Sequence, residues 1–460
     1  MARAYMVQIL FAQDKWYSDH TALRATVYGC TGCGKTVAFT DLICKVFADK
    51  NQHGLKAKIL IVHPRLALSM NQQRRIRGDL TKYGVMFTSF HSGEVYNTLP
   101  NQKNLSTTDP NELIRIQTES PVHHITFSSY KSLYKIAAHQ FDLIICDEAH
   151  YLVMREYMDN LDLFQSKTIF YTGTPVNVTG QEASMDNRAL FGEVIVEIPP
   201  SMLIPDRYVL PPRLQFLNVK TKGGVAGSVD YSETIAHAYY EQLKLVNTKY
   251  NHKMLVTMAN TEHFDTIMAN LVNMRKIVND FHMDVYFVTA DRVSKNGHVT
   301  YGQTARERIL DDFAETPNKA IIIHCDTLAE GIDIDGIGGI LLLRNLGKQK
   351  CIQTMGRGGR PANEDRLPDG EIVQDPIKTH CIVTVVRVDN EWLGNVSIEE
   401  LAESIRYGGY GELTDFIDPE FPTPGKNKLP EGSDDEAIYR QIEEIKTTQI
   451  QNVLWSQLFA

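Results

Sequence analysis

The chain has 460 residues, about the length of three domains or of two large domains with an extension. Hydrophobic residues make up 43% of it and charged residues 22%, which excludes a disordered or collagen-like chain. The formal charge of −9 argues against a basic coat protein for nucleic acid, but it leaves room for a local basic groove.

Apolar runs in this sequence are of strand length and end at charged residues, so none spans a bilayer. The first residues lead into no apolar core of a signal peptide. Seven scattered cysteines do not have the density of a secreted disulfide scaffold. We therefore expect a cytoplasmic protein with reduced thiols and no membrane partner.

Strand-length apolar runs alternate with stretches of helix length along most of the chain. Ten strands are predicted, at residues 25–28, 59–63, 124–127, 143–146, 168–171, 254–258, 285–288, 320–323, 340–343 and 382–386. Nearly continuous apolar strands separated by helices are typical of parallel sheets that are covered on both faces. The predicted fold class is α/β, with one parallel sheet in each half.

Domain boundaries are predicted from changes in composition. Residues 1–200 form a first lobe, the proline-rich residues 201–212 a linker, and residues 213–390 a second lobe. In the remaining extension, 391–460, prolines, glycines and an acidic run predict an exposed tether. Apolar residues at helical spacing then predict a terminal helix. That helix either docks on the body or binds a protein partner.

The strongest signal is the segment Gly29-Cys30-Thr31-Gly32-Cys33-Gly34-Lys35-Thr36, which matches G-x-x-x-x-G-K-[ST] between a predicted strand and a helix. Gly29, Gly32 and Gly34 let backbone N–H groups wrap phosphates at a helix N-terminus. Lys35 supplies a positive charge for the β- and γ-phosphates, and the Thr36 hydroxyl is a ligand for Mg²⁺. The segment predicts a site for ATP and Mg²⁺.

A second signal is Asp147-Glu148-Ala149-His150, at the end of an apolar strand. We expect Asp147 to hold Mg²⁺ and Glu148 to orient and deprotonate the attacking water. The Cys30-x-x-Cys33 pair lies inside the phosphate loop and has no second such pair to complete a zinc site, so we interpret both cysteines as variable loop positions.

These residues spell Asp-Glu-Ala-His, and the chain resembles a superfamily 2 (DEAD/DEAH-like) helicase. That resemblance implies two RecA-like lobes with a P-loop. Pro64-Arg65 resembles motif Ia, Ser128-Ser129-Tyr130 belongs to a segment like motif Ib, and Thr172-Gly173-Thr174-Pro175 is similar to motif III. By resemblance, Pro64, Arg65, Ser128, Ser129, Tyr130, Thr172 and Thr174 contact nucleic acid.

The second half continues the series. Residues 328–335 resemble motif V, with Asp335 where many members carry Pro, and residues 353–360 match the motif VI pattern Q-x-x-G-R-x-x-R. The resemblance implies that Gly331, Asp333 and Gln353 help to bind ATP. It also implies that Arg357 and Arg360 stabilise charge on the γ-phosphate, an effect of about 10³–10⁵ in rate.

An adenine contact is also expected near the start of the chain. Residues 3–8 resemble the Arg-x-Tyr-Gln stretch of many family members, with two extra residues before Gln8. Gln8 is our candidate and Gln13 the alternate, because an amide can pair with the adenine edge.

The motif III sequence Thr-Gly-Thr-Pro is closer to DNA-directed members than to RNA-type members. The chain length is closest to that of bacteriophage branch-migration and repair helicases. We therefore expect a DNA helicase or translocase in the cytoplasm of a bacterium or of a phage-infected host, acting on single-stranded, forked or branched DNA. The alternatives are an RNA helicase, the motor subunit of a restriction or repair complex, and an ATP-gated clamp on nucleic acid. Residues 91–119 are predicted to be an inserted loop.

Overall fold

The chain divides into two units between Pro199 and Pro200 in the computed structural model. The structure describes residues 3–64, 72–73, 76, 78–91, 105–136, 140–153, 155–175, 184–219, 230–246, 251–325, 336–367, 372–374, 376–388, 391–410 and 415–417. Within these ranges, every helix is too short or too polar to cross a lipid bilayer.

A sheet of eight strands, all parallel, forms the centre of the first unit. Its strands are β1 (Arg24–Gly29), β2 (Lys58–His63), β3 (Val85–Phe90), β4 (Leu105–Thr107), β5 (His123–Ser129), β6 (Leu143–Asp147), β7 (Lys167–Thr172) and β8 (Glu193–Ile198). They lie in the order β4-β3-β5-β2-β6-β7-β1-β8. The carboxyl ends of β6, β7 and β1 are therefore neighbours at one edge of the sheet.

Helices connect these strands. They are α1 (Ala4–Ser18), α2 (Lys35–Gln52), α3 (Pro110–Glu119), α4 (Leu133–Ile136), α5 (Arg155–Leu161) and α6 (Arg188–Phe191), with 3₁₀ turns at Thr81–Tyr83, Tyr130–Ser132 and Ala149–Val153. Helix α3 begins at Pro110, because the Asp109 side chain accepts a hydrogen bond from the backbone of Asn111 and Pro110 occupies the first turn.

The second unit is built on a ten-stranded, mostly parallel sheet. Its strands are β9 (Pro212–Val219), β10 (Lys253–Met258), β11 (Asp284–Val288), β12 (Arg292–Lys295), β13 (His298–Tyr301), β14 (Ala320–His324), β15 (Ile337–Leu343), β16 (Cys381–Val388), β17 (Glu391–Trp392) and β18 (Asp415–Ile417). The order is β13-β12-β11-β14-β10-β15-β16-β9-β18, and β17 pairs with β16. Only the pairs β11–β12, β12–β13 and β16–β17 are antiparallel among the described strands.

The helices of the second unit are α7 (Pro200–Leu203), α8 (Tyr231–Leu245), α9 (Phe264–Ala269), α10 (Leu271–Val278), α11 (Gln303–Glu315), α12 (Lys348–Gly358) and α13 (Ile398–Tyr407), with 3₁₀ turns at Asn363–Asp365 and Leu393–Asn395. Helix α8 is capped by Asp230, whose carboxylate accepts hydrogen bonds from the backbone of Ser232 and Glu233.

All ten strands predicted from the sequence are present, and so is the predicted α/β class with two parallel sheets. The runs are apolar because both faces of each sheet are covered, and β6, β11, β14 and β15 are buried at every position. The prediction missed β3, β4, β8, β9, β12, β13, β17 and β18. Three of these, β4, β8 and β13, lie at sheet edges, and their partly exposed positions make their sequences less apolar.

Two segments differ in the structure from their prediction as a linker and a loop. Residues 201–212, predicted as a linker, pack on the second unit: Tyr208, Val209 and Leu210 are buried there. Residues 91–119, predicted as an inserted loop, contribute β4 and α3 to the first unit over their described part. The predicted terminal helix lies outside the described residues.

Candidate active site

The phosphate loop joins β1 to α2 in the first unit. Gly32 and Gly34 have φ angles of 89° and 87°, in the left-handed region that side chains rarely adopt, which explains the glycines at these positions. The Lys35 ammonium donates a hydrogen bond to the carbonyl of Gly29 at 3.0 Å. A carbonyl of the loop thus holds the Lys35 side chain, and Thr36 follows Lys35 in the first turn of the helix.

The charge on Lys35 is secured by its surroundings. Burial by itself lowers the pKa of this ammonium group, but the Glu148 carboxylate, followed by Cys33 and Asp147, raises it more. The net pKa is above the ordinary value for lysine. Lys35 therefore presents a full positive charge at the helix N-terminus, which is a favourable place for phosphate oxygens.

Gly173, at the end of β7, lies directly against this loop. A β-carbon at Gly173 would lie 3.1 Å from the Gly29 carbonyl oxygen, 3.3 Å from the Thr31 nitrogen and 3.4 Å from the Lys35 ammonium. Only a glycine fits without displacing the loop. The sequence gives Gly173 no individual role, and the close approach explains why motif III has a glycine here.

Asp147 ends β6 and is 4% exposed. Its Oδ2 accepts a hydrogen bond from the Gln72 amide, and its backbone carbonyl accepts one from the Tyr130 hydroxyl at 2.7 Å. Its Oδ1 is buried and accepts no hydrogen bond from the described residues. An orphaned carboxylate oxygen of this kind fits the Mg²⁺ that accompanies ATP, because the cation would compensate for its burial.

The electrostatics of Asp147 agree with that assignment. Burial, followed by the Glu148 carboxylate, raises its pKa to about 7 against the opposing effect of Lys35. A buried carboxylate with a raised pKa is stabilised in its charged form when a cation approaches. The two acids therefore form a site that gains from a divalent ion.

Glu148 follows Asp147 with an unusual backbone. Its φ angle is 51°, in the left-handed region that non-glycine residues rarely adopt. Its Oε2 lies 3.5 Å from Nδ1 of His150. Strained backbone of this kind is found at functional sites, where the surrounding structure holds a side chain in a required direction.

His150 links these acids to the end of β7. Its Nδ1 lies 3.0 Å from the Thr172 hydroxyl and 3.3 Å from the Thr174 hydroxyl, and the backbone of Thr174 donates to Thr172 at 3.1 Å. One buried imidazole therefore contacts the acid-bearing turn and motif III. A movement of the Glu148 side chain can therefore be transmitted to the end of β7 through His150.

Gln72 and His63 are site residues that the sequence did not single out. Besides the Gln72 bond to Asp147, Nδ1 of His63 lies 3.8 Å from Asp147 Oδ2 at the end of β2. Burial lowers the pKa of His63 to about 3, so the imidazole is neutral. Neither residue belongs to a motif quoted above, and only the order of the strands brings them to Asp147.

Cys30 and Cys33 lie side by side in the phosphate loop. Both are free and buried, and the backbone of Cys33 donates to the Cys30 carbonyl at 3.2 Å. A hydrogen bond between the thiols, together with Lys35, lowers the pKa of Cys33. Cys33 is therefore the more acidic thiol of the pair.

We predict that oxidation of this pair stops ATP hydrolysis. Diamide removes two electrons and two protons from the thiols, and the resulting disulfide pulls the loop away from the geometry that holds Lys35. ATPase activity should fall with the formation of the Cys30–Cys33 bond, measured by mass spectrometry, and should return with dithiothreitol. Cys30→Ser should be insensitive to diamide. Full activity in protein with a proven bond would contradict this prediction.

The two glutamines proposed for adenine have different environments. Gln8 is exposed on α1, and its role stays a prediction. Gln13 is 1% exposed, donates to the Ala38 carbonyl at 3.1 Å and accepts a hydrogen bond from the Tyr171 hydroxyl. Its amide is therefore hydrogen-bonded within the core, which argues against Gln13 as the residue that contacts adenine.

Most side chains predicted to contact nucleic acid are buried in the first unit. Ser128 and Thr172 are 0% exposed, and Tyr130 and Thr174 are 1% exposed. Their hydroxyl groups bond within the unit, for example Ser128 to the Phe90 carbonyl at 3.3 Å. These four side chains hold strand ends together, and their contacts with nucleic acid stay predictions.

The other predicted contacts are placed as follows. Ser129 is 9% exposed and its hydroxyl lies 3.1 Å from that of Ser132. Pro64 is half-buried, and Arg65 lies outside the described residues. The roles of these three residues stay predictions.

The second unit carries motif VI on α12. Gln353 is buried in this helix, and Arg357 and Arg360 are half-buried at its C-terminal end. Gly331 and Asp333 of motif V lie outside the described residues, so their predicted contacts with ATP stay predictions.

Comparisons with known proteins agree with this geometry. Residues 6–177 match the family described as Type III restriction enzyme, res subunit, and residues 237–362 match the Helicase conserved C-terminal domain. "Putative ATP-dependent helicase IRC3" of Saccharomyces cerevisiae is 24% identical over 356 residues, which cover 73% of this chain and 46% of that protein.

Two solved structures illustrate the fold. The ATP-dependent Type ISP restriction-modification enzyme LlaBIII bound to DNA aligns with a TM-score of 0.66 and 14% identity, over 97% of this chain and 32% of that chain. Saccharomyces cerevisiae Dbp5 bound to RNA and ADP BeF3 aligns with a TM-score of 0.54 and 13% identity, over 96% and 97% of the two chains.

Two helicase domains on two parallel-sheet units define the class of the protein. These two domains support an ATP-dependent helicase of superfamily 2. It spans about half the length of the curated relative that it matches and about a third of the restriction enzyme.

Proposed function

We propose that this protein hydrolyses ATP to move along DNA and to unwind or branch-migrate forked or branched DNA. One observation carries the proposal: the ends of β1, β7 and β6 bring Lys35, Gly173, Asp147 and Glu148 to one edge of the first sheet. These are a phosphate cradle, a cation ligand and a base, which are the parts that hydrolysis of a nucleoside triphosphate requires.

Each side chain has a distinct task in this reaction. Lys35 binds the β- and γ-phosphates as a positive charge, and Thr36 with Asp147 holds the cation. Charge that develops on the phosphates would be neutralised by Mg²⁺ held at these two residues. Glu148 orients the attacking water and accepts its proton, and its strained backbone keeps the carboxylate directed at the site.

The second unit completes the proposed reaction. Arg357 and Arg360 would stabilise the charge on the transferred phosphoryl group, as an arginine finger does. Because the arginines and Lys35 belong to different units, hydrolysis would require both units to bind the same ATP. Repeated closure and opening would move the chain along a strand.

DNA is the proposed track for two reasons. Motif III reads Thr-Gly-Thr-Pro, as expected of DNA-directed members, and the similar enzyme LlaBIII is described as bound to DNA. RNA is the rival, because Dbp5 is described as bound to RNA. Phosphate contacts would supply most of the affinity, so binding should weaken as salt is raised.

Matched substrates test this proposal. We expect ATPase activity to rise more with DNA than with RNA of the same sequence, and strand displacement to be fastest on forked or four-way DNA. Stronger stimulation by RNA would overturn the choice of DNA. Absence of ATPase activity with every nucleic acid, in folded protein that binds ATP, would favour an ATP-gated clamp.

A second candidate is the motor part of a larger restriction or repair enzyme. The chain spans only 32% of LlaBIII, which favours this reading. In that case the purified chain would hydrolyse ATP on DNA without displacing a strand. Recovery of displacement on addition of a partner would support the second candidate.

A further inference from the structure

The backbone that carries Arg360 is held by hydrogen-bond donors from outside its helix. The last carbonyls of a helix have no partner within it and need donors from elsewhere. At the end of α12, the Lys378 ammonium donates to the carbonyls of Gly358 and Arg360, both at 2.7 Å. The backbone N–H of Leu210 donates to the carbonyl between them, that of Gly359, at 2.7 Å. Three successive carbonyls are thus fixed.

Lys378 is an unusual residue to find in this position. It is 4% exposed, and burying an ammonium group costs free energy unless hydrogen bonds replace its water. Both carbonyls it binds lie at the negative end of a helix dipole, which favours a cation. The arrangement fixes the direction of the chain where it leaves α12.

Lys378 is itself fixed by Asp365. This carboxylate is 0% exposed and accepts hydrogen bonds from the backbone of Ile377 at 2.6 Å and of Lys378 at 2.9 Å. Asp365 lies in the 3₁₀ turn that follows motif VI. The buried Asp365 carboxylate therefore fixes the backbone at Lys378, and the Lys378 side chain in turn fixes the backbone at Arg360.

The end of α12 also has little room to move. A β-carbon at Gly358 would lie 2.0 Å from the Cys381 sulfur, and one at Gly359 would lie 3.1 Å from the Leu210 carbonyl oxygen. Cys381 begins β16, and Leu210 comes shortly before β9, the strand paired with it. The arginine segment is thus set against the starts of two central strands.

We propose that Lys378 is a positioning residue for Arg360, and that Asp365 acts through Lys378. The inference rests on the proposed function, in which Arg360 stabilises charge during hydrolysis. An arginine on a displaced backbone would still bind solvent, but it would meet the transferred phosphoryl group poorly. A displacement of about 1 Å at such a group costs about 10²-fold in rate.

The test compares Lys378→Met with Arg360→Ala and with the double variant in the full chain. Lys378→Met should lower kcat by about 10–100-fold. The affinity for a fluorescent ATP analogue should stay unchanged, because the substitution leaves the phosphate loop intact. Arg360→Ala should lower kcat by about 10³-fold. In the double variant, Lys378→Met should add almost nothing, since its effect passes through Arg360.

Lys253→Met is the matched control. Lys253 is also 4% exposed in the second unit, and its ammonium caps the end of α11 at the Ala314 carbonyl, at 2.7 Å. Its loss should lower the free energy of unfolding without lowering kcat. If Lys378→Met fails to fold, Lys378→Arg and Asp365→Asn replace it. Each should lower kcat less than Lys378→Met does, and each should add almost nothing when combined with Arg360→Ala.

The outcomes separate the inference from the function on which it rests. Wild-type hydrolysis by Arg360→Ala would remove the proposed role of the arginine, whatever Lys378→Met does. An inactive Arg360→Ala beside a folded Lys378→Met with wild-type kcat would overturn the positioning role alone. Losses that multiply in the double variant would also overturn it, because they indicate a general structural effect.

Discussion

Glu148→Gln should reduce ATP hydrolysis by about 10²–10⁴-fold while the protein remains folded and still binds ATP. The amide retains the size of the side chain and its contact with His150, but it cannot accept a proton from water. The measurement is steady-state ATPase activity with saturating DNA, together with binding of a fluorescent ATP analogue and thermal unfolding. The variant should bind ATP as tightly as the wild type.

The control for this variant lies at the other end of the same strand. Asp142 precedes β6, accepts the backbone N–H of Lys58 at 2.7 Å and pairs with Lys50 at 2.5 Å. Asp142→Asn should affect stability only. Wild-type hydrolysis by a folded Glu148→Gln would refute the assignment of Glu148 as the base.

Lys35→Ala should abolish hydrolysis and also weaken binding of ATP. A charge-assisted hydrogen bond to phosphate contributes roughly 1.5–3 kcal/mol, so we expect affinity to fall by about 10–100-fold. Removal of a preorganised positive charge should cost kcat about 10²-fold or more. Titration of the fluorescent analogue and ATPase assays at saturating ATP measure the two effects separately.

Lys45→Ala is the comparison for Lys35→Ala. Lys45 lies on the same helix, α2, and forms an ion pair with Asp14 near the surface. Exposed ion pairs contribute little to stability, and Lys45 is not in the phosphate loop, so activity should be unchanged. Equal losses in both variants would indicate damage to α2 instead of a role for Lys35.

The sequence predicts the central strands and the phosphate loop well, for a physical reason. A strand buried on both faces must be apolar along its whole length, and a phosphate loop needs glycines at positive φ, as Gly32 and Gly34 have. These demands are local, so they can be read from neighbouring residues.

Contacts between distant parts of the chain could not be predicted in this way. Gln72 reaches Asp147, and Lys378 reaches Gly358, only because the sheets fold as they do. The burial of Tyr130 could not be predicted for the same reason: its motif gives the residue type, whereas its burial depends on β5 and β6. Such residues lack a local pattern, because their partners are set by strand order.

The left-handed backbone at Glu148 has a consequence for variants of this protein. Asparagine and glycine adopt that conformation more readily than glutamate does. Replacement by either one relieves conformational strain as it removes the carboxylate. Under the proposed function, a single codon change would therefore produce a stable, ATP-loaded but inert competitor for the same substrates. Loss of the reaction would then go unnoticed in any screen that scores only abundance or solubility.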